Sequence, residues 1–194
     1  MYFVESTDRK LVNRIMELDK YIDLLIPRGS ASLVNLVNEK ARMPAITGGI
    51  GVCHTYVDKS YELPKALDII ANAKIQNPSV CNALDTILIH KDILQEFVDP
   101  MFDLLADKNV EIRADQKSFD SYSKSQQNLV KLAKNSDFGE EFLDLILSVK
   151  TVKDIDDAIA HISKYGSGHS EAIITNSEYA VSYTHLTLPT NREV

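Results

Sequence analysis

Short apolar runs alternate with amphipathic helical stretches along most of this chain, and that rhythm restricts the folds open to it more than anything else. Cys53 to Val57 and Thr86 to His90 are rich in β-branched and aromatic residues, as strands are. Between them, about Glu62 to Gln76 places Leu63, Ala66, Leu67, Ile70 and Ala73 at helical spacing. Upstream, the pattern predicts a helix over about Thr7 to Asp19 and a strand over Tyr21 to Ile26. A helix from Ala31 to about Arg42 and a strand at Pro44 to Thr47 follow. Downstream, a helix is expected over about Ile93 to Asp107, and strands at Val110 to Arg113, Leu143 to Val149 and Glu171 to Thr175. The polar stretch Asp115 to Asp137 reads as a surface excursion with one helix near Asn128 to Ala133. Asp154 to Tyr165 reads as a helix capped by Asp154 and ended by Gly166. Strands joined by helices pair in parallel, so the expected class is α/β with a doubly wound sheet. Ligands of such sheets sit at the carboxyl ends of strands, where the turns Pro27-Arg28-Gly29-Ser30 and Gly48-Gly49-Ile50-Gly51 are expected.

The formal charge of -7, with basic residues scattered, argues against general binding to nucleic acid or anionic membranes. There is no membrane-spanning apolar run and no N-terminal secretory pattern. Two cysteines, Cys53 and Cys81, do not make a disulfide framework in 194 residues. A cytoplasmic location is the expectation.

Cys81 is the candidate with chemistry. Pro78 interrupts the preceding helical pattern, and Ser79 is placed to cap a new short helix with Cys81 in its first turn. Unpaired N–H groups there favour thiolate and can hold an oxyanion, which suits an acylation nucleophile. Local sequence alone favours a buried structural thiol over a nucleophile, since free Cys is among the most buried residue types. Arg28, Gly29 and Ser30 open a helix and could meet a phosphate, though Gly and Ser also serve turn geometry alone. Gly48 to Gly51 has neither dinucleotide-fingerprint nor Walker spacing. His54, His90 and His161 lack metal-ligand spacing and read as structural or surface residues, with no metal site. Lys74 reads either as a cation lowering the thiol pKa or as a surface lysine.

Val181 to Thr190 shifts to threonine-rich sequence and is similar to a sequencing adapter translated in one frame. Residues 181–194 are therefore expected to be non-native.

Several blocks, in one order, resemble a known family. They are Ile26-Pro27-Arg28-Gly29, Gly51-Val52-Cys53-His54-Thr55-Tyr56-Val57-Asp58, Asn72-Ala73-Lys74, Pro78-Ser79-Val80-Cys81-Asn82-Ala83 and Tyr165-Gly166-Ser167-Gly168-His169-Ser170-Glu171-Ala172. Together they resemble the glutamate-5-semialdehyde dehydrogenases, or γ-glutamyl phosphate reductases, of the aldehyde dehydrogenase superfamily. The resemblance runs from Met1 to about Ala180 and implies an internal fragment. Residues 1–50 would be the C-terminal part of a Rossmann-type cofactor domain, and 51–180 most of an α/β catalytic domain. The reaction implied is NADPH-dependent reduction of γ-glutamyl phosphate to glutamate-5-semialdehyde and phosphate, in proline biosynthesis.

The resemblance implies Cys81 as nucleophile, displacing phosphate to form a thioester that accepts hydride. It implies NADP(H) contacts at Arg28, Gly29 and Ser30, and at Glu141 on the nicotinamide ribose. Substrate contacts are implied at Asn82, Ser167, Gly168, His169 and Ser170. Thr47 stands where oxidising members carry a glutamate general base; threonine cannot activate water there, which favours acyl-phosphate chemistry. A glutamate 5-kinase as source of substrate and a homo-oligomeric full-length protein are also implied. Two alternatives stay open: the reductase domain of a bifunctional pyrroline-5-carboxylate synthase, and a non-catalytic homologue with an inert Cys81.

Overall fold

The structure, a computed structural model, describes residues 3–29, 31–48, 50–122 and 128–187. The chain divides into two compact units, Met1–Ile50 and Gly51–Val194.

The first unit contains helix α1 (Lys10–Ile15) and helix α2 (Ala31–Lys40), and its buried side chains include Met16, Val37 and Met43. The two strands expected at 21–26 and 44–47 reduce to one parallel bridge between Leu25 and Ala45. Leu25 N–H donates to the Pro44 carbonyl at 2.9 Å and Ile46 N–H to the Leu25 carbonyl at 2.8 Å. Leu24, Ile26 and Ile46 remain exposed, so little burial within the unit supports longer pairing. α1 is also shorter than its pattern, continuing only as turns through Leu18.

The second unit is built on a six-stranded parallel sheet. Its strands are β1 (Cys53–Val57), β2 (Leu84–His90), β3 (Glu111–Ala114), β4 (Val130–Leu132), β5 (Ile146–Val152) and β6 (Glu171–Ile174). They lie side by side in the order β4-β3-β5-β2-β1-β6, every adjacent pair parallel. Every residue of β1 and β2 is buried, as expected of central strands covered on both faces.

The main core lies on one face of this sheet. Helix α3 (Leu63–Ile75) contributes Ala66 and Ile70, and helix α4 (Leu94–Ala106) contributes Phe97, Val98, Met101, Phe102 and Leu105. Pro100 sits inside α4 and removes one backbone donor, but the buried aromatic face holds the helix together. On the opposite face helix α6 (Ile155–Tyr165) packs Ala158 and Ile162 against Tyr56, Leu88 and Val152. Asp154 caps α6 by accepting Asp157 N–H at 3.1 Å, and Gly166 ends it.

Two expectations need correcting. Asn128 to Ala133 is not helical: Val130–Leu132 is the edge strand, pairing with Ile112, Arg113 and Ala114. Burying Val130 while Lys131 pairs with Glu111 satisfies this polar segment better than an isolated helix turn. The helix of this region is α5 (Gln116–Ser121), capped by Asp115, which accepts Ser118 N–H at 3.0 Å. The buried strand expected at 143–149 begins only at Ile146, since Leu143 is exposed and its positive φ of 52° is off extended strand geometry. Helix α7 (Glu178–Thr187) runs through the start of the segment expected to be non-native, and Tyr183 Oη donates to Asp156 at 2.7 Å. Residues 188–194 lie outside the described residues.

Candidate active site

All strands of a parallel sheet start at the same edge, so the segments leading into neighbouring strands are themselves neighbours. Cys81 lies on such a segment, the turn between α3 and β2. The Gly51-Val52 approach to β1, the 140–145 approach to β5 and the 166–170 approach to β6 are the adjacent ones. The candidate site of this unit therefore sits at the amino ends of β5, β2, β1 and β6. That corrects the expectation of a site at the carboxyl ends. The general preference assumes ligands held by helix amino termini that follow strands, and here the thiol arrives on the segment that precedes one.

The turn itself also differs from expectation. No helix begins at Ser79; the segment from Pro78 to Ala83 is a succession of turns. Ser79 Oγ donates to Asn77 Oδ1 at 3.0 Å and caps nothing. Ala83 N–H donates to the Val80 carbonyl at 3.0 Å. Without a helix there is no macrodipole at Cys81, so the expected dipole argument for its activation fails. What the turn provides instead is exposure: Cys81 and Asn82 are both exposed.

The segment entering β1 holds this region together. Its successive backbone N–H groups reach side chains far away in sequence. Gly51 N–H donates to Glu141 Oε1 at 3.1 Å, and Val52 N–H to Ser167 Oγ at 2.9 Å. Cys53 N–H donates to Asp85 Oδ2 at 3.4 Å, and His54 N–H to Glu171 Oε2 at 2.8 Å. The Cys53 thiol donates to the Cys81 carbonyl at 3.4 Å and lies 4.0 Å from His169 Nδ1. A Cβ on Gly51 would run into the Cys81 carbonyl, so only glycine permits this approach.

Cys53 itself is 3% exposed, and burial, reinforced by the Asp85 and Glu171 carboxylates, pushes its thiol up to about 12. It is a neutral hydrogen-bond donor at any ordinary pH. Of the two thiols, the exposed one is that of Cys81.

The implied site residues are thus distributed as follows. Cys81, Glu141, Ser167 and His169 converge on the Gly51–Cys53 segment. Ser167, Gly168, His169 and Ser170 are exposed, and His169 Nδ1 lies 2.9 Å from Ser170 Oγ. Gly168 has a φ of +72° and open space where a Cβ would stand. Arg28 and Gly29 belong to the first unit, exposed, with Gly29 at a φ of +144° just before α2. The Arg28 guanidinium lies beside Gly48, 3.5 Å from where a Cβ would be. Ser30 lies outside the described residues. Thr47 is half-buried in the first unit.

Sequence reasoning missed the charged pair beneath the turn. Lys74 is fully buried rather than on the surface, with Nζ 3.8 Å from Asp85 Oδ1. Asp85 also accepts Phe142 N–H at 3.3 Å. Burial holds the Lys74 amine below its ordinary range, opposed by Asp85. Burial likewise pushes Asp85 up, opposed by Lys74 and by the Phe142 and Cys53 N–H groups. The signal was present in the spacing, since Lys74 continues the buried row Ala66, Ile70 one turn further. His54 and His161 are buried on the other face, their rings 5.5 Å apart, with Phe138 and Tyr165 against His161. His90 Nδ1 accepts Asp92 N–H at 3.1 Å.

No family model matches the chain. It is 44% identical over 174 residues to the gamma-glutamyl phosphate reductase of Proteus mirabilis, covering 90% of this chain and 42% of that protein. It is 48% identical over 177 residues to the one of Kosmotoga olearia, covering 91% of this chain and 41% of that protein. Among solved structures, the gamma-glutamyl phosphate reductase of Thermotoga maritima matches with a TM-score of 0.84 at 38% identity, over 95% of this chain and 44% of that one. An engineered glycolyl-CoA reductase with bound NADP+ shares the fold, with a TM-score of 0.68 at 19% identity, over 95% of this chain and 48% of that one. The chain spans about two fifths of the length of the curated relatives it matches, 42% and 41% for these two. On this similarity in sequence and fold, the chain belongs to the gamma-glutamyl phosphate reductase family, within the aldehyde dehydrogenase-like fold.

Proposed function

We propose that this chain carries the acylating thiol of a reductase that converts γ-glutamyl phosphate to glutamate-5-semialdehyde and phosphate, in proline biosynthesis. The observation that carries the reading is the exposed Cys81 thiol, on a turn whose carbonyl accepts from the Cys53 thiol and lies so close to Gly51 that no Cβ fits there. The Cys81 thiolate adds to the acyl carbonyl, the tetrahedral adduct collapses, and phosphate leaves with the bonding pair of the broken C–O bond. The product of this half-reaction is a thioester on Cys81. Exposed His169 and Ser167, which reach the Cys53 thiol and the Val52 N–H, and exposed Asn82 beside Cys81 are polar side chains for the glutamyl head group or the departing phosphate.

A nicotinamide dinucleotide, NADP(H) by the family pattern, supplies hydride to the thioester carbon when bound, which releases the aldehyde and returns the thiolate. The residues of this chain fit such a group. Gly29, at a φ closed to other residues, brings the backbone to the start of the ten-residue α2 beside the exposed Arg28 guanidinium, a combination suited to phosphate. Within the first unit Arg28 and Gly29 would hold phosphate, with Ser30 by the family pattern; within the second, Glu141, which the family pattern assigns to the ribose, has one carboxylate oxygen that does not take the Gly51 N–H. A glutamate 5-kinase supplying the acyl phosphate and a homo-oligomeric, cytoplasmic whole protein belong to the same reading.

The test is acyl transfer from γ-glutamyl phosphate. Phosphate release accompanied by a glutamyl adduct on Cys81, lost in Cys81→Ser, is the expected result. Adduct on another residue, or phosphate release unchanged in Cys81→Ser, overturns the reading.

A further inference from the structure

The segment bearing Cys81 leaves α3 after Ile75 and re-enters the sheet at Leu84. Lys74 is the next-to-last residue of that helix, and Asp85 is the second residue of that strand. Their side chains meet 3.8 Å apart in the interior, 0% and 3% exposed, at the base of the excursion. Lys74 Nζ has no hydrogen-bond partner among the described residues; beside Asp85 it faces the Phe142 ring, 6.0 Å from its centroid, so no hydrogen bond secures the ion pair beneath the turn. Burying such a pair carries a desolvation cost that apolar residues of similar size would avoid. Asp85 meanwhile takes the N–H groups of Cys53 and Phe142. Through Cys53 it reaches the Cys81 carbonyl, and through the neighbour of Phe142, Glu141, it shares the Gly51 segment.

We propose that Lys74 and Asp85 are positioning residues that close the base of the 76–83 turn and fix the Cys81 thiol relative to the segments entering β1 and β5. This rests on Cys81 being the acylated thiol. Lys74 ties the helix end to Asp85, and Asp85 spreads that constraint to the Cys53 and Phe142 backbones. Cys53 passes it on to the carbonyl of Cys81 itself. Neither residue touches substrate in this role.

The experiment measures acetylation of Cys81 by p-nitrophenyl acetate, followed as nitrophenolate release and as acetyl on the Cys81 peptide. It runs on the whole chain and on Lys74→Met, Asp85→Asn and the double variant Lys74→Met/Asp85→Leu. Thermal midpoints and amide exchange of residues 76–83 against β5 are read in parallel. A structural pair alone would let the double variant regain stability and the wild-type acetylation rate together. The proposal instead expects acetylation in the double variant to stay down by between ~10- and ~100-fold, as for a misplaced reacting group, whatever stability it regains, since leucine leaves the Cys53 and Phe142 N–H groups without their acceptor. Exchange over 76–83 is expected to rise while β5 is unchanged. Acetylation within about twofold of wild type in Asp85→Asn and the double variant, with exchange unchanged, overturns it. Should the double variant not fold, the near-isosteric Asp85→Asn decides by the same criteria. If wild-type Cys81 takes no acetyl group, the nucleophile reading fails separately, and exchange over 76–83 still decides whether the pair holds the turn.

Discussion

The Cys53 thiol donates a hydrogen bond of 3.4 Å to the carbonyl of Cys81, so the chain's two cysteines belong to one local structure with opposite roles. One is sealed and neutral, a donor that braces a turn; the other stands exposed on that turn. The sulfur carried by β1 holds the backbone from which the second sulfur projects.

That division of roles predicts a sharp contrast in labelling. Iodoacetamide at neutral pH is expected to modify Cys81 in the folded chain and leave Cys53 untouched. With its thiol held up at about 12 by burial, Cys53 should be alkylated only as pH approaches that value or after denaturation. Peptide mapping after timed alkylation checks this. Equal rates for the two residues in the folded chain would contradict it.

Gly51→Ala is expected to do disproportionate harm for one added methyl group. Its Cβ would occupy the space of the Cys81 carbonyl, which is backbone and cannot swing aside. Overpacking of this kind costs about 1–3 kcal/mol and displaces the turn. Urea unfolding should show the loss, and Cys81 acetylation should slow in the folded variant. Gly168→Ala serves as the contrasting control for space, since nothing lies where its Cβ would stand; any cost there comes from its φ of +72°.

Stability should fall on mild acidification because of His161. Burial, aided by the adjacent His54, holds His161 down to about 3 from 6.5. The folded chain keeps it neutral while the unfolded chain takes up a proton below 6.5. Its contribution is therefore intact above pH 6.5 and is lost progressively as pH falls from 6.5 towards 3. The full loss is on the order of 4–5 kcal/mol. His161→Phe, which keeps an aromatic ring against Phe138 and Tyr165, should flatten the decline in that window. Urea midpoints for both chains at pH 7 and pH 5 test it, and an equal decline in the variant would assign the effect elsewhere.

Phe102→Ala probes the core that carries the sheet. Phe102 is fully buried in α4 within the main cluster. A loss of about 3–5 kcal/mol is expected from the cavity and lost transfer energy. Chemical denaturation measures it, and a loss below about 1 kcal/mol would mean that the core repacks freely.

Much of the second unit was legible from residue patterns because burial enforces periodicity. The span Cys53 to Val57 emerges unchanged as β1, and α3, α4 and α6 differ from their expected limits by only a residue or two. Asp154 caps its helix as its residue type and position indicate. Where burial is slight the pattern misled. Val130–Leu132 has one buried residue and pairs as an edge strand, and the expected strands of the first unit dwindle to the Leu25–Ala45 bridge. At Val130–Leu132 a few long-range hydrogen bonds outweighed local preference, whereas in the first unit too little burial supported the pairing that the pattern predicted.

Residue order alone determined that strands alternate with helices, hence that they run parallel, and it singled out Cys81. It did not determine which edge of the sheet carries the thiol, or what stands beneath it. Those follow from strand order: placing β5, β2, β1 and β6 side by side brings their entering segments together at one end. Only then do Gly51 and Cys53 meet the Cys81 turn and Asp85 meet Cys53 and Phe142, and only then does Lys74 prove to be interior. Periodicity records how each segment faces the core, while contacts between segments distant in sequence exist only once the sheet has assembled.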